Sequence, residues 1–240
     1  MGEKGGGDIR EGAILGLDTS TAVCTVAVVA ADRVLAQERL EGQKIHGSVL
    51  LPLTIRVLER SGVGREGLAA VAVGVGPGSF TGVRIGVATA KALAWARGLP
   101  LVGVPSLDAL AWELPPPAPL ICAMLDARRE NVYYRVYHRA GGEPRATGEP
   151  GIGAVRDLAA WLARQEQEVA LLGDAAVRHR LLLQDALGRR ALFRPGPAGL
   201  PQGAKVARLG LRRLEEGMQD DPMALLPVYL KPSQAELAQG

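Results

Sequence analysis

The stretch from residue 68 to residue 105 constrains the fold more than any other part of the chain. It reads as an apolar run at 68–76, a Gly-Pro-Gly turn, a helical segment at 81–97 that Gly98 ends, and a second apolar run, "PLVGVP". Two buried strands joined through a helix predict parallel strands with a right-handed crossover. A short helical segment, "SLDALAWEL", follows. This order predicts an α/β protein.

The regions on either side complete a two-part organisation. Residues 13–40 read as three strands with short connections, which predicts an antiparallel meander. A helix is predicted at 46–62, with Ser48 as its N-cap, Pro52 in its first turn or at a kink, and Gly62 as its end. Beyond the prolines at 115–119, two further strands flank a polar turn. Predicted helices follow near 155–167, 175–187 and 203–216.

Both halves open with a hairpin and continue in helices, which suggests a duplicated α/β unit. We therefore predict a flexible leader at 1–12, an N-terminal lobe at 13–114, a proline-rich boundary at 115–119 and a C-terminal lobe at 120–240.

Composition excludes several functional classes. Hydrophobic residues make up 48% and charged residues 22% of 240 residues, with a formal charge of +3, which is ordinary for a globular chain and too weakly basic to indicate nucleic-acid binding. No signal peptide or membrane-length apolar run is present. Cys24 and Cys122 fit buried free thiols in a reducing compartment. We expect a soluble cytoplasmic protein that does not engage membranes.

The loop "GVGPGSFTG" matches neither standard nucleotide motif. No lysine follows the glycines as in a P-loop, and Ser79 stands where the third glycine of GxGxxG belongs. Two interpretations remain. Gly76, Gly78 and Ser79 could bind an anion at the helix start, or the glycines could form a sharp turn with Ser79 capping the helix.

A second candidate is "LDTST", in which Asp18, Thr19 and Ser20 follow a buried strand. They could contact phosphates or a metal-bound water, or they could form a turn in which Asp18 bonds its own backbone. The histidines are isolated from one another, so the sequence offers no catalytic triad and no metal-ligand spacing. No catalytic residue is predicted.

The helix at 81–97 has an unusual surface. Gly82, Gly86, Ala90 and Ala94 recur every four residues and leave a stripe with almost no side chain, while few positions carry charge. Such a helix needs cover on more than one side. One side is expected to pack on its own sheet, and the other on a partner protein or on the second half of this chain.

Several segments together resemble the TsaB (YeaZ) family of tRNA threonylcarbamoyladenosine biosynthesis proteins. They are "ILGLDTSTAVCTVAV", "HGSVLLP", the block "GVGPGSFTGVRIGVATAKALAWARGLPLVGVPSLDALA", "LDARRENVYY" and the terminal "PVYLK". The resemblance covers most of residues 13–135 and is thinner beyond them. It implies an actin/Hsp70/sugar-kinase-like (ASKHA, ribonuclease H-like) fold of two lobes.

The resemblance also implies a role. TsaB-like proteins support their paralogue TsaD, which transfers threonylcarbamoyl to the adenosine beside the anticodon of tRNAs that read ANN codons. The histidines that bind metal in TsaD-like proteins correspond to Ser106 and Leu110 here, so we predict no metal site and no autonomous enzyme activity. Implied partners are TsaD, the ATPase TsaE, a second copy of the chain when it is alone, and tRNA through the complex.

By the same resemblance, the helices at 47–60 and 81–97 form the TsaD-binding bundle. No cofactor is required, although ATP or ADP at the complex fits the phosphate-loop character of residues 18–21. An alternative function is a self-standing ATP-dependent small-molecule kinase or phosphotransferase. The predicted interface residues are Leu50, Leu51, Gly82, Arg84, Ile85, Gly86, Ala90, Lys91 and Ala94.

Overall fold

A computed structural model of the protein describes residues 12–31, 33–42, 46–112, 118–139, 142–193 and 202–230. Nearly all of the predicted leader, and residues 115–117 of the proline-rich boundary, lie outside these ranges. The described strands form two sheets, and helices pack on both.

The first sheet has the strand order β3-β2-β1-β4-β5. Strands β1, β2 and β3 are antiparallel, as the predicted meander requires, and β4 and β5 run parallel to β1. Every residue of β1 is buried, because helices cover both faces of the sheet centre. The strands are β1 (Ala13–Asp18), β2 (Val23–Ala30), β3 (Arg33–Glu41), β4 (Leu68–Gly74) and β5 (Leu101–Val104).

Helices α1 (His46–Ser61) and α2 (Phe80–Arg97) cover one face of this sheet. The predicted ends of α2 are confirmed: the Ser79 hydroxyl accepts a hydrogen bond from the Gly82 amide, and Gly98 ends the helix with φ 61°. The predicted N-cap of α1 is wrong. The helix already begins at His46, so Ser48 lies inside its first turn and Pro52 lies in its second.

Helix α7 (Gly203–Glu215) covers the opposite face of the first sheet, although it comes from the part of the chain predicted as the C-terminal lobe. It lies close to the strands because small residues meet there. A Cβ atom on Gly16 would stand 2.0 Å from the Gly203 carbonyl oxygen, and one on Gly210 would stand 2.4 Å from the Ala72 Cβ. The N-terminal lobe therefore includes this C-terminal helix.

The second sheet has the order β11-β10-β6-β7-β8, and β9 also pairs with β7. The predicted helix at 175–187 is two helices that break at His179. The strands are β6 (Leu120–Asp126), β7 (Asn131–His138), β8 (Arg145–Ala146), β9 (Gly151–Ala154), β10 (Val169–Leu172) and β11 (Ala191–Phe193), and the helices are α4 (Val155–Ala163), α5 (Asp174–Arg178) and α6 (Arg180–Leu187).

Helix α3 (Ser106–Ala111) joins the two halves. It follows β5 of the first sheet, and Leu107 and Leu110 are buried against residues of the second sheet. The Asp108 carboxylate accepts hydrogen bonds from the Arg135 guanidinium at 2.9 Å and from the Tyr137 hydroxyl at 2.6 Å. The start of α3 thus has a fixed position relative to both sheets. Among the described helices, none has the length and apolar character to cross a bilayer.

Candidate functional site

The two loops that the sequence predicts as phosphate contacts lie side by side. They follow β1 and β4, which are parallel neighbours, so both emerge at the same edge of the sheet. The Ser79 amide donates to the Ser20 carbonyl at 2.7 Å, and the Thr19 hydroxyl donates to the Gly82 carbonyl at 2.7 Å. The loop after β1 is therefore bonded directly to the start of α2.

Asp18 is the centre of this arrangement. One carboxylate oxygen accepts from the Ser20 amide at 2.9 Å and the Ser20 hydroxyl at 2.7 Å, and the other accepts from the Ser106 hydroxyl at 3.1 Å. Complete burial raises the pKa of Asp18, and the hydrogen bonds from Ser20 and Ser106 partly oppose that shift. Of the two interpretations of "LDTST", the structure shows the turn in which the Asp18 carboxylate accepts a hydrogen bond from the nearby Ser20 amide.

Ser106 links three elements. Its hydroxyl donates to Asp18 and accepts from the Gly76 amide at 3.2 Å, while its own amide donates to the Gly76 carbonyl at 2.9 Å. The sequence singled out this serine only as a missing metal ligand. Its structural role, the joining of the β1 loop, the glycine loop and α3, has no local sequence signature.

Most of the predicted phosphate contacts are buried within the two loops. Asp18, Thr19 and Ser20 are buried, and a Cβ on Gly78 would stand 2.3 Å from the Ser20 carbonyl oxygen. Of the six predicted phosphate contacts, which also include Gly76 and Ser79, only the Ser79 side chain is exposed, and it is engaged as the N-cap. In this arrangement the polar side chains of Asp18, Thr19, Ser20 and Ser79 all have hydrogen-bond partners within the chain. The glycine loop positions α2.

His46 also belongs to this region, although the sequence treated it as isolated. Its ring Nε2 lies 2.7 Å from the Thr21 carbonyl oxygen, and the ring is buried. Since a carbonyl only accepts, Nε2 carries the proton. The contact fixes the first residue of α1 to the β1 loop.

The two positions that correspond to metal ligands have no metal-binding character. Ser106 is occupied by the bonds above, and Leu110 is buried in the apolar cluster between α3 and the second sheet. Within the ranges that the structure describes, no three His, Cys, Asp or Glu side chains are grouped so as to hold a metal ion.

The predicted role of the small-residue stripe is wrong. Gly82, Gly86, Ala90 and Ala94 are buried by the chain itself. A Cβ on Gly82 would stand 2.1 Å from the Thr19 carbonyl oxygen, and one on Gly86 would stand 2.3 Å from the Thr19 hydroxyl oxygen. The stripe lets α2 approach its own sheet and the β1 loop, so it offers nothing to a partner. Leu50, another predicted interface residue, is likewise buried.

The exposed side of the α1–α2 pair is nevertheless apolar. Leu51 and Ile55 are 50% and 49% exposed, and Trp95 is 75% exposed. We call the five side chains of this side the docking face: Leu51, Ile55, Ala88, Ala92 and Trp95.

The remaining predicted interface residues border this face. Arg84 is exposed, and Ile85 and Lys91 are partly buried. Ile85 lies where the two helices meet, since a Cβ on Gly47 would stand 3.8 Å from its Cδ1. Of the nine predicted interface residues, Leu51, Arg84, Ile85 and Lys91 are thus at least partly accessible, and the other five are buried. That the accessible ones contact a partner stays a prediction. Helical periodicity relative to the buried stripe would have indicated Ala88 and Ala92.

The chain is similar to known proteins in both sequence and fold. Residues 33–239 match the model of the family TsaD, tRNA N6-adenosine threonylcarbamoyltransferase. The chain is 30% identical to the tRNA threonylcarbamoyladenosine biosynthesis protein TsaB of Bacillus subtilis, over 93% of this chain and 96% of that protein.

Solved structures agree with this relationship. YeaZ from Pseudomonas aeruginosa superimposes with a TM-score of 0.73 at 28% identity, over 91% of this chain and all of the other. A ROK hexokinase from Thermus thermophilus, with a TM-score of 0.51 and 15% identity over 85% of this chain and 99% of the other, shares the actin/sugar-kinase-like fold. The chain therefore belongs to the TsaB (YeaZ) family of tRNA threonylcarbamoyladenosine biosynthesis proteins.

Proposed function

We propose that this protein is a non-catalytic partner subunit that dimerises with TsaD. In that role it supports the transfer of threonylcarbamoyl to the adenosine beside the anticodon of tRNAs that read ANN codons. The observation that carries the proposal is the docking face, where Leu51, Ile55 and Trp95 expose apolar surface on two neighbouring helices. Exposed apolar patches on well-ordered elements are typical of protein–protein interfaces.

The hydrogen bonds of the loops, and the residues at positions 106 and 110, favour a non-catalytic role for this chain. The Asp18 carboxylate has all its hydrogen bonds within the chain, and Ser106 and Leu110 are buried where the paralogue would carry histidines. A self-standing kinase using residues 18–20 and 76–79 is the less favoured function, because those loops are bonded to each other.

Further partners follow from the same proposal. TsaE would join through the TsaD-bound complex, and tRNA would be engaged by the complex as a whole. Without TsaD, the same docking face would pair with its copy on a second chain, since a two-fold pairing buries equivalent apolar surfaces. ATP or ADP, if present at the complex, would contact surfaces other than the closed loops of this chain.

The test is complex formation by purified proteins. Wild-type protein and TsaD, mixed and separated by size-exclusion chromatography, are expected to co-elute, and the mixture should restore modification to a TsaD preparation without its own TsaB. The double variant L51E/I55E should weaken TsaD binding more than about tenfold, which is about 1.4 kcal/mol. Separate elution of the wild-type proteins would contradict the proposal.

A matched control lies on the second lobe. Val177 and Leu181 are 62% and 81% exposed on α5 and α6, away from the α1–α2 pair. The double variant V177E/L181E introduces the same charges at apolar positions that are more exposed than Leu51 and Ile55. It should bind TsaD as the wild type does, which separates a local effect at the docking face from a general effect of added charge.

A further inference from the structure

We propose that the C-terminal segment 218–229, which we call the strap, is a second part of the surface that receives TsaD. This inference rests on the proposed function and extends the docking face to a neighbouring element. Neither the family match nor the predicted α1–α2 bundle assigns a role to this segment.

The strap is bonded to β5 near one end and to the residue that follows β4 near the other. The Asp220 amide donates to the Leu101 carbonyl at 2.8 Å, and the Asp220 carboxylate accepts from the Gly103 amide at 2.7 Å. At the other end, the Val228 amide donates to the Val75 carbonyl at 2.8 Å. A segment held in this way presents its outward side chains in a defined position.

Helix α2 holds the middle and the end of the strap. The Lys91 ammonium donates to the carbonyls of Met223 at 3.3 Å and Leu225 at 3.1 Å. The Arg84 guanidinium donates to the Tyr229 hydroxyl at 2.8 Å and stacks 3.8 Å from the centre of the Phe80 ring. Side chains of α2 thus bond the strap to the helix at two separate points.

The strap exposes apolar side chains that its backbone bonds prevent from turning inward. Met223 and Leu226 are 75% and 71% exposed, whereas Leu225 between them packs against the core. Of the thirteen large apolar side chains exposed in the described ranges, eight belong to the strap or to α1 and α2. They are Leu51, Ile55, Trp95, Met218, Met223, Leu226, Val228 and Tyr229.

The strap adjoins the docking face. Lys91, which binds the Met223 carbonyl, is one helical turn from Trp95, and Arg84, which binds Tyr229, is one turn from Ala88. Every charged side chain of α2 is positive: Arg84, Lys91 and Arg97. The strap adds the Asp220 and Asp221 carboxylates, so the combined surface carries exposed apolar side chains together with charges of both signs. We assign its partner as TsaD because the strap continues the proposed docking face.

The experiment compares three double variants of the full chain: M223E/L226E on the strap, L51E/I55E on the docking face and V177E/L181E as the control. The dissociation constant for purified TsaD is measured by calorimetry for each. We expect M223E/L226E to weaken binding at least fivefold, and the control to stay within twofold of wild type. Circular dichroism should show unchanged thermal unfolding for the strap variant, since both side chains are exposed.

The outcomes separate the two proposals. If L51E/I55E weakens TsaD binding and M223E/L226E does not, the strap inference is wrong and the proposed function stands. If the wild type does not bind TsaD at all, the proposed function fails and the strap inference fails with it. If M223E/L226E alters only self-association, measured by light scattering, and leaves TsaD affinity unchanged, the strap serves a second copy of the chain and the inference is again wrong.

Discussion

The Ser106 hydroxyl donates a hydrogen bond to the buried Asp18 carboxylate at 3.1 Å, although the two residues are 88 positions apart in the chain. Because Ser106 begins α3 and Asp18 ends β1, this contact connects the β1 loop to the helix that packs on the second sheet. The glycine loop joins the same network through the Gly76 amide. The two loops that the sequence offers as candidate phosphate contacts are bonded here to each other and to the start of α3.

Ser106→Ala is expected to lower the free energy of unfolding by about 1–3 kcal/mol, because the Gly76 amide and an Asp18 oxygen would lose their buried partner. Urea unfolding followed by circular dichroism measures the change. Thr81→Ala removes an exposed hydroxyl at the start of α2 and is the control, with an expected change below about 0.5 kcal/mol. Equal changes in the two variants would contradict the assigned role of Ser106.

Gly86→Ala is expected to destabilise the protein by about 1–3 kcal/mol, because the new methyl group would lie 2.3 Å from the Thr19 hydroxyl oxygen. Gly47→Ala on α1 is the matched control, since its methyl group would meet only Ile85 at 3.8 Å. Thermal unfolding of both variants measures the difference. A stabilised Gly86→Ala protein, as helix propensity alone would give, would show that the contact with the β1 loop is loose.

The free energy of unfolding should depend on pH through the titration of Asp18. Burial raises the pKa of Asp18 in the folded protein above its ordinary value of 3.8, so the folded state keeps this proton to higher pH than the unfolded state. The contribution of Asp18 to stability is therefore greatest below the ordinary pKa and declines as pH rises through the raised pKa of the folded state. The variant Asp18→Asn lacks this titration.

We expect the difference in unfolding free energy between wild type and Asp18→Asn to shift in favour of the variant as pH rises from 4 toward neutrality. Urea unfolding at several pH values measures it. Asp157→Asn, at an exposed position on α4, is the control for loss of one carboxylate. A constant difference between wild type and Asp18→Asn across this pH range would exclude the titration of Asp18.

The two cysteines should be unreactive in the folded protein. Burial raises the pKa of both the Cys24 and the Cys122 thiol to about 12, so almost no thiolate forms at pH 8. A chromogenic disulfide reagent should label neither thiol in buffer and both in denaturant. Leu181→Cys, at an exposed position, is the positive control and should react at once in buffer. Rapid labelling of native wild-type protein would contradict the burial of these thiols.

Local sequence patterns predicted most of the secondary structure. The meander of β1–β3, the crossover through α2 and the caps at Ser79 and Gly98 are all set by residues near one another, and the structure confirms them. The break at His179 was missed because the apolar pattern of α5 and α6 runs through it. Propensity and periodicity are local properties, so they predict local structure best.

The site was predicted less well because its contacts are long-range. A stripe of small residues indicates close approach, but it does not say what approaches, and here the β1 loop and the chain's own sheet occupy it. The contacts of the strap were not predicted for the same reason: "LLPVYLK" has no period, and its partners, such as Val75 and Arg84, are far away in the chain. Only the tertiary fold brings these groups together.

The bridge between Asp220 and Leu101 also restricts how this protein can assemble. β5 is the last strand of the first sheet on its side, and strands in that position have free amide and carbonyl groups that can recruit a strand from another molecule. Here the Asp220 amide already donates to the Leu101 carbonyl, and the Asp220 carboxylate already accepts from the Gly103 amide. An incoming chain would find this border already satisfied, so oligomers that extend the first sheet across β5 are disfavoured.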